Sequence, residues 1–154
     1  MHRMVSFVFK LIGITMVLLI VADTAFMLVD AYTTNSRIQA QANLMQMEIA
    51  KNNYMSDAAI QMFKGEVITD SVGNTTGTGF AYISHLSNVY QQIEFNETEV
   101  NQVKDYGDYH KLVITAVITP WHYHTTGRMD SLTKVENTST INYTYTVPCL
   151  RYLK

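Results

Sequence analysis

The sequence predicts an α+β protein in which one long N-terminal helix packs on a small antiparallel β-sheet. Three observations carry this expectation. Leu11 to Val29 form an apolar run broken by a single charge, Asp23. Residues 31–63 hold no Pro or Gly and repeat their apolar residues at helical spacing. Beyond Gly65 the spacing shortens to two, and Thr and Tyr become frequent, as in a sheet with one wet face. The chain of 154 residues divides on this basis into an N-terminal tip and candidate transmembrane helix (1–30), an amphipathic continuation (31–64) and a β-rich domain (65–154).

The run from Leu11 to Val29 is nineteen residues long, which at a rise of about 1.5 Å per residue spans roughly the 30 Å of a bilayer's hydrocarbon core. Arg3 and Lys10 precede it, and the next cation is Arg37. This asymmetry predicts a cytoplasmic N-terminus and an extracytoplasmic or cell-surface domain. A cleavable signal peptide shares the layout, but the apolar run continues past Ala22 and Ala25 through Phe26-Met-Leu-Val, and no Ala-x-Ala triplet occurs. A retained single-pass helix is therefore expected. Asp23 and Asp30 lie seven apart, on one helix face with Phe9, Met16 and Arg37. Asp30 is expected at the outer interface. Asp23 lies deeper and is expected to need a partner, either water at the interface or a group from a neighbouring subunit or partner membrane protein. Gly13 is the lone glycine of the run, so no GxxxG pairing motif is present.

In the continuation, Ile38, Ala42, Met45 and Ile49 step by four, three and four, a narrow apolar stripe among Gln39, Gln41, Asn43, Gln46 and Lys51. One helix is expected from about Met4 to Ala50, roughly 70 Å long. Asn52-Asn53 then weakens the pattern, and a short helix through Met55, Ala59, Met62 and Phe63 ends at Gly65 as C-cap. The stripe is expected to pack on the chain's own sheet or on like helices of an assembly. With Asp23 and Asp30, its four residues are the candidate packing positions.

Val67-Ile68 is expected to open a short strand, and Gly73-Asn-Thr-Thr-Gly-Thr-Gly79 reads as a flexible turn. That Gly cluster has no Lys and no GxxxxGK[ST] spacing, which excludes a phosphate loop. Phe80 to Ser84 reads as a strand, and His85 to Phe95 fits helix or strand. The clearest strands are Lys111–Trp121, where Leu112, Ile114, Ala116 and Ile118 alternate with Val113, Thr115, Val117 and Thr119, and Ser139–Val147, where Ile141, Tyr143, Tyr145 and Val147 alternate with polar residues. Pro120 and Pro148 are placed to end them, since proline cannot donate to a ladder. The connection between them, with Gly127, is long for a hairpin.

Composition narrows the function. Net charge is −2, and beyond Asp30 nine Lys or Arg are interspersed with eleven Asp or Glu. Without a basic patch, a nucleic-acid partner is not expected. Thr (18), Asn (10) and Tyr (10) are abundant and Pro (2) is scarce, a mixture that suits exposed β-structure. Cys149 is the only cysteine, so no internal disulfide forms, and it reads as a small apolar residue near a strand end. His122 and His124 share one face of an extended segment, with His110 upstream, and such a pair can reach one metal ion, but no Cys, Asp or Glu completes the set. No G-x-S-x-G, HExxH, CxxC or EF-hand pattern occurs. The carboxylates Glu94, Glu97, Glu99, Asp105 and Asp108 fall in what read as exposed loops. No enzyme activity, cofactor or resident metal is expected. Four Asn-x-Ser/Thr sequons, at Asn74, Asn96, Asn137 and Asn142, are a mild enrichment for so Asn- and Thr-rich a chain.

The layout resembles the pilin-like proteins, in particular the TadE-like minor pilins (pseudopilins) of tight-adherence pili. The stretch that carries the resemblance is Phe26-Met-Leu-Val-Asp-Ala-Tyr-Thr-Thr-Asn-Ser-Arg-Ile-Gln-Ala-Gln-Ala-Asn-Leu-Met, joined by Ile141-Asn-Tyr-Thr-Tyr-Thr-Val-Pro-Cys near the end. It implies a pilin-like fold and a structural or assembly role in a surface filament or secretion apparatus. The implied partners are the membrane, other pilin-like subunits or a membrane assembly platform, in a homo- or hetero-oligomer. The chain departs from the prepilin pattern in one respect. The fifth residue after Gly13 is Leu18 rather than Glu, and no Glu occurs before Glu48. Two other readings compete: a membrane-anchored or secreted β-rich module that reads a ligand through its Tyr/His-rich hairpin, and a membrane-tethered metal-dependent enzyme using His110, His122 and His124.

Overall fold

The computed structural model describes residues 2–125 and 132–152. Helix α1 runs from His2 to Asn52, 51 residues, and at about 1.5 Å per residue measures roughly 77 Å. Its first part is apolar all round, with Thr15 and Thr24 turning their hydroxyls back onto the carbonyls of Leu11 (2.9 Å) and Ile20 (2.8 Å), which hides two polar groups in the helix's own backbone. Every described side chain from Met4 to Leu19 is exposed. From there one face is covered: Ile20, Thr24, Met27 and Ala31 are half-buried, and Thr34, Ile38, Ala42, Met45 and Ile49 are buried. Those nine positions step by fours and threes, one unbroken helical stripe. It begins eighteen residues before the apolar stripe legible in the sequence, inside the apolar run.

At the end of α1, Asn53 takes a left-handed conformation (φ 62°) and its N–H donates to the Ile49 carbonyl at 2.7 Å. Asn tolerates this conformation better than other residues with a Cβ. Helix α2 (Asp57–Lys64) is capped by Ser56, whose Oγ accepts from the Ala59 N–H, and ends at Gly65 (φ 70°) as expected. Gly65 and Gly79 (φ 103°) also let two backbones meet, since a Cβ on either would lie within 2.5 Å of a carbonyl oxygen, of Thr78 and Phe63 respectively.

A small hairpin of β1 (Ile68–Thr69) and β2 (Thr75–Thr76) follows. The Gly73–Gly79 stretch is thus partly strand. Phe80–Leu86 is helix α3, not the strand expected for Phe80–Ser84. Its buried residues Phe80 and Ile83 are three apart, a helical spacing, and Phe80 meets the ring of Phe95 at 5.8 Å. Tertiary burial of that one face overrides the strand preference of an aromatic, β-branched segment. The ambiguous stretch beyond it divides into the end of α3 and strand β3 (Tyr90–Phe95). Helix α4 (Glu97–Asn101) leads to β4 (Tyr109–Ile118).

The main sheet is antiparallel, ordered β3–β4–β7, with β7 spanning Ser139–Pro148. Its register pairs Leu112 with Tyr145, Ile114 with Tyr143 and Ala116 with Ile141. Leu112, Ile114 and Ala116 are fully buried and share the core with Ile38, Ala42, Met45 and Ile49. The other face carries Thr115, whose Oγ1 lies 2.9 Å from the Asn142 Oδ1, so the sheet has one wet face. Pro120 separates β4 from β5 (Trp121–Thr125). Strand β5 pairs with β6 (Leu132–Glu136) in a second hairpin, which accounts for the length of the β4–β7 connection. Gly127, in that connection, lies outside the described residues.

Candidate site along the helix–sheet seam

The six packing candidates all lie on or beside the covered face of α1. Ile38, Ala42, Met45 and Ile49 are each completely buried. The partner of the stripe is therefore the chain's own sheet, one of the two expected partners. Asp23 and Asp30 flank the stripe nearer the N-terminus, and both are engaged within the chain. Oδ2 of Asp23 accepts hydrogen bonds from Trp121 Nε1 (2.9 Å) and from the Tyr123 hydroxyl (2.5 Å). The Trp121 N–H lies 3.3 Å from the Met27 sulfur, and Lys134 Nζ stands 4.0 Å from the centre of the Trp121 ring. The Asp23 carboxylate, accepting from Tyr123, holds that phenol above its usual pKa.

Seven residues on, Oδ2 of Asp30 accepts from Ser87 Oγ (3.1 Å) and from the backbone N–H groups of Asn88 (2.9 Å) and Val89 (3.1 Å). It caps the turn between α3 and β3. Ser87 Oγ in turn accepts from the Tyr90 N–H at 2.9 Å. Phe9, Met16 and Arg37, the heptad companions of these two carboxylates, are exposed. A step of seven drifts by about 20° per heptad on a straight helix, and at Arg37 that drift has left the covered face.

A third polar tie joins Asn35 to the sheet. Tyr143 donates its hydroxyl to Asn35 Oδ1 at 2.8 Å and lies 3.2 Å from the Tyr90 hydroxyl. Burial, with the Tyr90 hydrogen bond, pushes the Tyr143 phenol well above its usual pKa. A fourth closes the far end. The buried Asn53 side chain donates to the carbonyls of Arg151 (2.5 Å) and Lys104 (3.3 Å) and accepts from the Arg151 N–H (2.9 Å). Its own carbonyl receives His110 Nε2 at 2.7 Å, while His110 Nδ1 lies 3.1 Å from the Glu99 carbonyl. Lys104 clamps this corner through Glu99 Oε1 (2.5 Å) and the Tyr109 carbonyl (2.9 Å).

The Lys104 hydrogen bond holds the Glu99 carboxyl below the usual range. A carboxylate lowered on folding stabilises the fold at pH values above its ordinary pKa, and that contribution disappears as pH falls through the lowered folded value. Lys104→Met is therefore expected to reduce the loss of thermal stability between neutral pH and pH about 3, as read by melting scans.

The remaining chemistry-bearing residues are not brought together. His110 is buried at the Asn53 corner, whereas His122 and His124 are exposed on the β5–β6 hairpin. Among the described residues, no three His, Cys, Asp or Glu side chains are grouped to hold a metal ion. Glu97 pairs with Lys64 at 2.9 Å, beside a cleft of about 570 Å³ floored by Phe80, Ile93 and Phe95. Glu94 accepts from Gln92 Nε2 at 2.6 Å. Cys149 is completely buried, and burial, with the Asp108 carboxylate nearby, pushes its thiol up. It is expected to resist iodoacetamide in the folded protein and to react only after denaturation, with mass spectrometry as the readout.

Sequence reasoning singled out both carboxylates and the stripe but not Asn35, Asn53, Trp121 or Tyr123. Asn53 carried a usable signal, an Asn doublet at the point where the helical pattern fails. Trp121 and Tyr123 lie 98 and 100 residues from Asp23 and gave no local sign of that pairing. Asp23→Leu removes the acceptor both share. The expected result is a red-shifted Trp121 emission that aqueous acrylamide quenches more strongly, while far-ultraviolet circular dichroism stays that of the parent. Comparison with protein-family models, with curated proteins and with solved structures finds no match for this chain.

Proposed function

We propose that this protein is a structural or assembly subunit of pilin-like build, held in a membrane by the first part of α1, in a surface filament or secretion apparatus. One observation carries the reading. A single helix is exposed from Met4 to Leu19 and apolar from Leu11 onward, yet becomes the spine of a folded domain from Ile20. A globular domain that leaves so much apolar surface open needs a nonpolar surrounding for it, either lipid or other helices. On the side of α1 away from the domain, Phe26, Leu28, Val29 and Tyr32 also stand exposed, which suits lateral packing against neighbouring helices. The charge pattern of the flanks supports an N-in orientation with the β-domain outside.

Deletion in the native host tests this reading. Loss or shortening of surface filaments, or loss of export through the associated machine, is the expected phenotype, restored by the full chain. Unchanged filaments and unchanged export contradict it. Protease added to intact cells should remove the β-domain and leave a membrane-retained fragment of α1, whereas an untouched domain contradicts the orientation.

A further inference from the structure

We infer that the β5–β6 hairpin is a membrane-contact element that rests in the headgroup layer of the bilayer holding α1. This rests on the membrane-anchored reading above and adds a surface, a depth and a partner. Its basis is an overlap between two demands on the same stretch of helix. The apolar run of α1 extends to Val29, but the covered stripe reaches down to Ile20. The last ten residues of the run, about 15 Å of helix, thus lie alongside the folded domain.

The hairpin is the part of the domain that occupies this overlap. The Trp121 N–H meets Met27, and the Tyr123 hydroxyl meets Asp23. Two strand residues advance about 6.6 Å and four helix residues about 6 Å, so β5 descends along α1 toward its N-terminus. Leu11 to Leu19 below the overlap provide only about 14 Å of apolar helix, well under the roughly 30 Å of a hydrocarbon core. On the far face, Phe26, Leu28 and Val29 remain exposed and favour lipid. The helix is therefore drawn into the bilayer until something on the domain resists.

The hairpin supplies that resistance. Among the described residues, β5 and β6 pair only with each other, so each has an outer edge whose backbone groups would go unpaired in hydrocarbon. Its exposed side chains include His122 and His124 on the face away from the helix, and Thr125, Lys134 and Glu136. Such a surface stops at the headgroups. Toward the helix it presents Trp121 and Tyr123, with Lys134 over the indole, the residue types that favour the membrane–water interface. The Asp23 carboxylate, already holding two hydrogen bonds, is accommodated at that depth without a partner from another protein.

Trp121 is the only tryptophan of the chain, so its emission reports the hairpin directly. The full chain, reconstituted in phosphatidylcholine vesicles, is measured with lipids carrying a nitroxide on the headgroup or near the acyl-chain end, and with acrylamide in the water. The expected result is a loss of Trp121 emission that is greatest with the headgroup label, unchanged when the protein is diluted in lipid. Quenching by acrylamide with none from either lipid label places the hairpin clear of the bilayer and overturns the inference. Strongest quenching by the deep label overturns it as well, and so does shielding from all quenchers that vanishes on dilution, which would mark contact between copies. Alkaline carbonate extraction of the same vesicles separates the two levels. A chain that resists extraction but escapes the headgroup label refutes the hairpin contact alone, whereas an extracted chain refutes the anchorage on which it rests.

Discussion

Replacing Met45 with alanine is expected to destabilise the folded domain by about 2–5 kcal/mol. Met45 is completely buried in the middle of the α1 stripe, within the cluster that includes Leu112, Ile114 and Ala116 of β4. Truncation removes three heavy atoms beyond Cβ and leaves a cavity between a helix and a sheet that are each tied at several points. Little collapse is available, which favours the upper half of the range. Leu44, one residue away and about half exposed, is the control, since Leu44→Ala should stay within about 0.5 kcal/mol of the parent. Urea unfolding of both variants in detergent checks the pair. Equal effects would mean that the stripe is not covered by the sheet.

Asn53→Ala is expected to cost about 3–5 kcal/mol, more than its few side-chain atoms suggest. The substitution leaves the Arg151 N–H and carbonyl without the amide that bridges them and forces a residue with a plain Cβ into a left-handed conformation. Both consequences fall at the same corner, where α1 ends and the strand β7 exits. Asn53→Gly separates them, because glycine accepts the backbone but supplies no amide. It should recover about 1 kcal/mol of the loss and no more. Full recovery in the glycine variant would show that the side-chain hydrogen bonds contribute nothing.

Much of this architecture was written in local patterns. The stripe at Ile38, Ala42, Met45 and Ile49, the Gly65 cap, and the alternation in β4 and β7 each reflect a short-range period or a backbone preference that survives folding. What failed to show lies at long range. Phe80–Leu86 has the residue types of a strand and becomes a helix because Phe80 and Ile83 are wanted on one side. The hairpin of β5 and β6 looked like a long loop because its turn carries no compact two-residue signal. Asp23 was legible as a residue in need of a partner, and this chain's own hairpin supplies it with two hydrogen-bond donors from far along the sequence. The covered stripe therefore begins at Ile20, and nothing in the composition of the apolar run separates its exposed part from its covered part.

That division of α1 is the centre of the account, and cysteine accessibility along the helix tests it most directly. Single cysteines at Ile14, Leu18, Ala42, Met45, Leu44 and Met47, in a Cys149→Ala background, are treated in vesicles with a small water-dependent maleimide that reaches both sides. Leu44 and Met47 stand exposed on the folded domain, Ala42 and Met45 are buried in it, and Ile14 and Leu18 belong to the apolar, uncovered part of α1. The account predicts rapid labelling at Leu44 and Met47 alone. Labelling of Ile14 and Leu18 at the rate of Leu44 would contradict it, by showing the first part of the helix in water.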